Sequence, residues 1–249
     1  MKSIPQQFFA PIQKPSSGLP YGDIYPLIEM CDLFSRTHNM SIYIIDYATE
    51  NFLYVSEHPL FLSGYTVDEV KKMSYFFYEK VVSPKEIQML LEMNKMGWEF
   101  FYGLPVKERL SIRISYSFYL HCQNGEKNLI LHKLVPLRLA PDGNIWLAVC
   151  FVTNSPYKEP GNIIFTLGKG KEYYRYDFEK QKIIAYTLET LTKREMEILT
   201  LTMRGYEEPQ IAGQLHISPY TIKSHRKKII QKLGANNLSN AVAIFNSMF

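Results

Sequence analysis

At 249 residues, with 46% hydrophobic and 14% aromatic side chains, the chain holds material for two modest domains with buried cores. Its three cysteines, Cys31, Cys122 and Cys150, are widely spaced and odd in number. That argues against a disulfide framework or a zinc site and fits a reducing, cytoplasmic setting. The net charge of +4 is local: eight Lys and Arg face four acids from Leu191 to Phe249, while twenty face twenty before it.

Residues 1–22 are interrupted by Pro5, Pro11, Pro15 and Pro20 and contain no apolar core of signal-peptide length, so they read as a disordered or loosely ordered leader. The longest apolar run, Ile145 to Val152, is too short to span a bilayer, and no membrane partner is expected. Ile24 to Asn39 reads as a helix with Leu27, Ile28, Cys31 and Phe34 on one face and Asp23 as its cap. Ser41 to Asp46 and Phe52 to Ser56 read as a β-hairpin. Capping boxes from Thr66 to Glu69 and from Ser83 to Glu86 announce short helices between residues 58 and 97. Three β runs follow, Leu110 to Cys122, Asn128 to Leu139 and Ile145 to Val152, joined by the turn signals Asn124-Gly125 and Pro141-Asp142-Gly143-Asn144.

Two strands, a cluster of short helices and a three-strand meander, with Gly64-Tyr65-Thr66 ahead of Asp68-Glu69, resemble a PAS domain. The resemblance covers about residues 40–155 and implies an antiparallel five-stranded sheet facing short helices across a pocket; with the N-terminal helix this makes a sensor domain over residues 23–155. No cofactor is predicted. A pocket ligand of unknown identity is compatible with the aromatic set Tyr75, Phe76, Phe77, Tyr78, Trp98, Phe100, Phe101 and Tyr102, although such a cluster is more often plain core. His58, His121 and His132 are the residues that could supply an axial ligand to a haem, and each is more ordinarily a surface or hydrogen-bonded histidine. Residues 156–188 read as a β-hairpin connector built from Ile163 to Leu167, Glu172 to Phe178 and Ile183 to Leu188. Its Gly168-Lys169-Gly170-Lys171 lacks the spacing of a phosphate loop and is read as a turn.

Over residues 189–249 the pattern is helical. Thr192 and Glu195 form a capping box for a helix that stops at Gly205. Pro209 to Leu215 makes a second, short helix. Ser218-Pro219 starts a third, which Gly234 ends, and Leu238 to Met248 makes a fourth. The third helix buries Ile222, Ile229, Ile230 and Leu233 on one stripe and surrounds it with Lys223, Arg226, Lys227, Lys228 and Lys232, without an acid. A basic amphipathic helix alone is usually a solvated face. One propped by a companion helix and a tight turn is what the major groove accepts.

The spaced residues Leu191-Thr192, Arg194-Glu195, Ile198-Leu199, Gly205, Ile211-Ala212, Ile217-Ser218, Thr221-Ile222-Lys223 and His225-Arg226 resemble the LuxR-type four-helix DNA-binding domain. The resemblance implies an all-α C-terminal domain in which Lys223, Ser224 and Lys227 face base edges. It places Ser218, Thr221, Arg226, Lys228 and Lys232 nearer phosphates, and a dimer contact at Leu238, Val242 and Phe245. The implied partners are double-stranded DNA, a second copy of the chain and RNA polymerase. One departure stands out: Glu207-Glu208 occupies a place where the family carries a small polar cap. These acids leave open a second reading, a PAS-mediated interaction or cofactor-sensing protein with weak intrinsic DNA binding. Signatures of catalysis are missing from the sequence: it has no nucleophile elbow, no His-Glu-x-x-His, no dinucleotide turn and no clustered carboxylates. It reads as an α+β, two-domain regulator with no catalytic or metal residues.

Overall fold

The computed structural model describes residues 2–168, 172–178, 180–187, 191–235 and 237–248, with backbone alone at 243 and 246–248. The chain forms two compact units, one of Met1–Gly168 with Tyr174–Ile184, the other of Lys169–Tyr173 with Ala185–Phe249. The expected boundary at residues 188 and 189 and most of the turn at 168–171 lie outside the described residues.

In chain order the first unit carries α1 (Ile4–Phe9), α2 (Tyr25–His38), β1 (Ser41–Asp46), β2 (Asn51–Val55), α3 (Pro59–Leu62), α4 (Val67–Met73), α5 (Phe77–Val81), α6 (Pro84–Gly103), β3 (Ile112–His121), β4 (Lys127–Leu139) and β5 (Ile145–Asn154). β6 (Gly161–Leu167), β7 (Glu172–Asp177) and β8 (Lys182–Thr187) follow. The strands lie in the order β2-β1-β5-β4-β3-β6-β7-β8. The first five form the antiparallel PAS-like sheet, with β1 paired to both β2 and β5. Every residue of β1 is buried, because the sheet is covered on both faces. One face packs Tyr43, Ile45, Phe118 and Cys150 against Phe61, Phe77, Leu90 and Phe101 of the helices. The other packs Ile42, Ile44 and Trp146 under Ile24, with Ile28 and Cys31 of α2 against them.

Local signals account for most element ends. Thr66 Oγ1 accepts the Glu69 amide and Glu69 returns a bond to the Thr66 amide, a complete capping box. At Ser83 the box opens differently: Glu86 accepts the Tyr119 amide of β3 at 2.8 Å, so this carboxylate ties α6 to the sheet. Gly125, at φ 86°, turns β3 into β4.

Three expectations are corrected. The leader is not loosely ordered along its length. α1 has a capping box between Ser3 and Gln6, tolerates Pro5 in its first turn, and buries Phe8 and Phe9 against Tyr75 and Tyr78. α2 keeps the expected face at Leu27, Ile28 and Cys31, which are half-buried, but Phe34 is exposed while Ser35 is buried, and the helix follows Ile24 without a side-chain cap from Asp23. The segment read as a connector also begins as sheet. β6 pairs with β3 through Ile112↔Leu167 and Ile114↔Phe165, and Ile163, Ile164 and Phe165 are buried. The β3 edge of a five-stranded sheet offers unpaired backbone groups, and an apolar strand covers them.

The second unit contains α7 (Lys193–Met203), α8 (Glu208–Leu215), α9 (Pro219–Lys232) and α10 (Leu238–Met248). Its core is Ile198, Leu199, Ile211, Ala212, Ile222, Ile229, Leu233, Ala241 and Ile244, all almost fully buried. Among the described residues, no helix of either unit is long and apolar enough to cross a membrane.

Candidate nucleic-acid interface

α9 is positioned by its own start signal and by its neighbours. Ser218 Oγ accepts the Thr221 amide at 3.1 Å and shares a hydrogen bond with Thr221 Oγ1 at 2.8 Å, while Pro219 fills the first helical position. Ahead of it, His216 at φ 52° closes α8 and lets the Ile217 amide reach the Ala212 carbonyl at 3.1 Å. This sets the turn between the two helices. Arg194 of α7 secures that corner from outside, donating to the Leu215 carbonyl at 2.6 Å.

The five cations of α9 then divide. Lys223, Lys227 and Lys228 are exposed. Arg226 is held internally: its guanidinium meets Glu208 at 3.1 Å, Thr202 Oγ1 at 3.3 Å and the Tyr206 carbonyl at 3.4 Å. Lys232 Nζ lies 2.7 Å from Glu195 Oε2, and Glu195 is only 3% exposed. Arg226 and Lys232, both expected near phosphates, are thus each paired with an acid of another helix and tie α9 to its neighbours. Burial alone would raise the Glu195 pKa, but the Lys232 ammonium and the Thr192 amide and hydroxyl outweigh it and hold the carboxyl below its usual range.

The Glu207-Glu208 departure is explained by the same contacts. Glu207 and Gln210 form the capping box of α8, and Glu208 holds Arg226. Neither carboxylate needs to oppose a phosphate. Sequence reading missed the Glu208–Arg226 pair because its members stand 18 positions apart on different helices.

Lys223, Ser224 and Lys227 share one exposed face of α9 and line an open groove of about 720 Å³. Ser218, exposed, and Thr221, half-buried, sit at the helix start with their hydroxyls engaged with each other. On α10, Ala241 and Ile244 point into the core, while Leu238, Val242 and Phe245 form a half-buried face.

Comparison with known proteins matches residues 189–245 to the family model described as bacterial regulatory proteins, luxR family. Residues 189–245 are a LuxR-type helix-turn-helix domain. The LuxR-type domain is similar to part of the HTH-type transcriptional regulator MalT of Yersinia enterocolitica, 44% identical over 52 residues, which are 21% of this chain and 6% of MalT. It is also similar to the response regulator protein VraR of Staphylococcus aureus, 41% identical over 63 residues, 25% of this chain and 30% of VraR. The chain thus spans less than a third of either relative. Among solved structures, the Vibrio cholerae VqmA dimer aligns over 87% of this chain and 85% of that one, at 17% identity and a TM-score of 0.32.

The PAS-like unit has its own polar centre. Tyr43 shares hydrogen bonds with Tyr78 Oη at 2.8 Å and with His132 Nε2 at 2.6 Å, beside a cavity of about 30 Å³ that Tyr47, Tyr75 and Tyr116 also line. That volume is on the scale of one water molecule. Burial pushes all five phenols and the Cys150 thiol up, and lowers the His132 imidazole to about 3. Of the aromatic set read from sequence, Tyr75, Phe77, Tyr78, Trp98 and Phe101 are buried and Phe76 is exposed. His58 bonds to Ser41 and Asn39 near the surface and His121 is exposed, so the three histidines do not converge. Among the described residues, no group of three His, Cys, Asp or Glu is arranged to hold a metal ion.

Proposed function

We propose that the protein is a sequence-specific, DNA-binding transcription regulator, cytoplasmic and dimeric, whose DNA module answers to the PAS-like unit. The observation that carries this reading is the sorting of cations on α9: Arg226 and Lys232 fix the helix, while Lys223 and Lys227 share an exposed face with Ser224. A rigid helix with a free cationic stripe is suited to base edges, and Lys228 with the helix start is suited to phosphates. Dimerisation through Leu238, Val242 and Phe245 would set two such helices on a roughly palindromic site, with RNA polymerase as the downstream partner. In this reading the chain performs no catalysis, and any ligand of the PAS-like unit acts by altering the DNA module.

The test is binding by the full chain to a site enriched from random DNA, with Lys223→Ala and Lys227→Ala in parallel. Each should weaken binding by about 1–3 kcal/mol and relax base preference at one position. Unchanged affinity and preference in both would refute the assignment of α9 to the groove.

A further inference from the structure

Among the described residues Tyr220 is the most solvent-exposed large apolar residue, at 83%, ahead of Tyr25 at 68%. It occupies the second position of α9, after Pro219. Among the described residues it makes no hydrogen bond, ion pair or ring contact. Its first turn is nevertheless held firmly, by the Ser218 cap and the bond between the Ser218 and Thr221 hydroxyls. An aromatic ring kept in water on a rigid helix start contributes nothing to the fold that a smaller polar residue would not.

Its place on the helix is informative. Lys223, Ser224 and Lys227 follow Tyr220 by three, four and seven positions, so all four share one face, and they line the same open groove. The one acid lining that groove, Glu208, is paired with Arg226. Residues at the N-terminal end of a recognition helix are those that reach base edges. In the major groove the apolar feature is the thymine methyl group, which an apolar side chain recognises by contact.

We infer that Tyr220 is a specificity-determining residue of the DNA site, its ring packing on a thymine methyl beside the bases read by Lys223 and Lys227. The inference rests on the proposal that α9 enters the major groove. It adds the one apolar contact in an otherwise cationic and hydroxylic stripe.

The experiment uses the full chain and the site it enriches from random DNA, with each thymine replaced in turn by uracil. That exchange removes only the methyl and leaves every hydrogen-bonding edge intact. Wild type should lose about fourfold in affinity at one thymine per half-site, the scale of a single methyl group left in water. Tyr220→Phe should behave as wild type. Tyr220→Ala should lose a similar factor on the thymine site and be indifferent to uracil there. If instead Tyr220→Phe falls as far as Tyr220→Ala and no uracil position matters, the hydroxyl is holding a phosphate and the inference is overturned. It is equally overturned if Tyr220→Ala binds as wild type does. Failure of the underlying proposal looks different, since Lys223→Ala and Lys227→Ala would then also leave binding unchanged.

Discussion

Around Tyr43 the sheet unit gathers phenols, a thiol and an imidazole, whereas the helical unit buries a carboxylate, Glu195, against a cation, Lys232. Tyr43, Tyr78 and His132 bond to one another and stay neutral, because a charge in that aromatic interior would lack both water and a counter-ion. Glu195 has little exposed surface but lies nearer the outside and stays charged, because Lys232 and the Thr192 amide reach it. The difference teaches how each unit is tuned. A neutral hydrogen-bonded centre responds to packing and to small neutral changes, while an ion-paired scaffold fixes a helix so that the remaining charges face outward.

The sharpest way to break this comparison is pH. The folded His132 pKa of about 3 lies below its ordinary 6.5, so the unfolded chain binds the extra proton between those values. The sheet unit should therefore have its full stability above about pH 6.5 and lose it progressively as pH falls toward 3, the largest effect expected. Trp98 and Trp146, the chain's two tryptophans, both lie in the sheet unit, so denaturant unfolding followed by their fluorescence reports that unit. His132→Phe should flatten the slope in that window, and an unchanged slope would show that another group titrates there.

Next in size is the scaffold. Lys232→Ala strands the Glu195 carboxylate and should destabilise the helical unit by about 2–4 kcal/mol in thermal unfolding followed by helical circular dichroism. Because the Glu195 pKa is depressed, the pair's contribution is complete above the normal carboxylate range and is lost as pH falls through and below it. Arg226→Ala should act in the same direction, through Glu208. A smaller effect belongs to the exposed cation: Lys228→Ala should leave stability unchanged, weaken all DNA sequences alike and reduce the salt slope by about one unit.

Signals carried within a few residues were legible in the sequence. The Thr66–Glu69 and Thr192–Glu195 boxes, the Ser218-Pro219 start and the Asn124-Gly125 turn each act over two to four positions, and the structure shows them where they were expected. The PAS-like strand succession and the LuxR-type helices followed from them. What was not legible depends on partners distant in sequence. The pairing of β6 with β3 needs an open sheet edge, and the burial of Phe8 and Phe9 needs Tyr75 and Tyr78 to receive them. Arg226 and Lys232 look like Lys223 and Lys227 in sequence and differ only because Glu208 and Glu195 stand within reach. Tyr220 belongs with these residues: apolar character in a helix ordinarily goes with burial, and the structure leaves this ring in water.

The most direct test of the central claim is site selection from random DNA by the full chain, run beside a chain carrying both Lys223→Ala and Lys227→Ala. The account predicts that wild type enriches a partly palindromic site with half-sites about one helical turn apart, and that the double variant fails to enrich it while keeping the helical circular dichroism of wild type. Recovery of the same site at the same affinity by the double variant would contradict it.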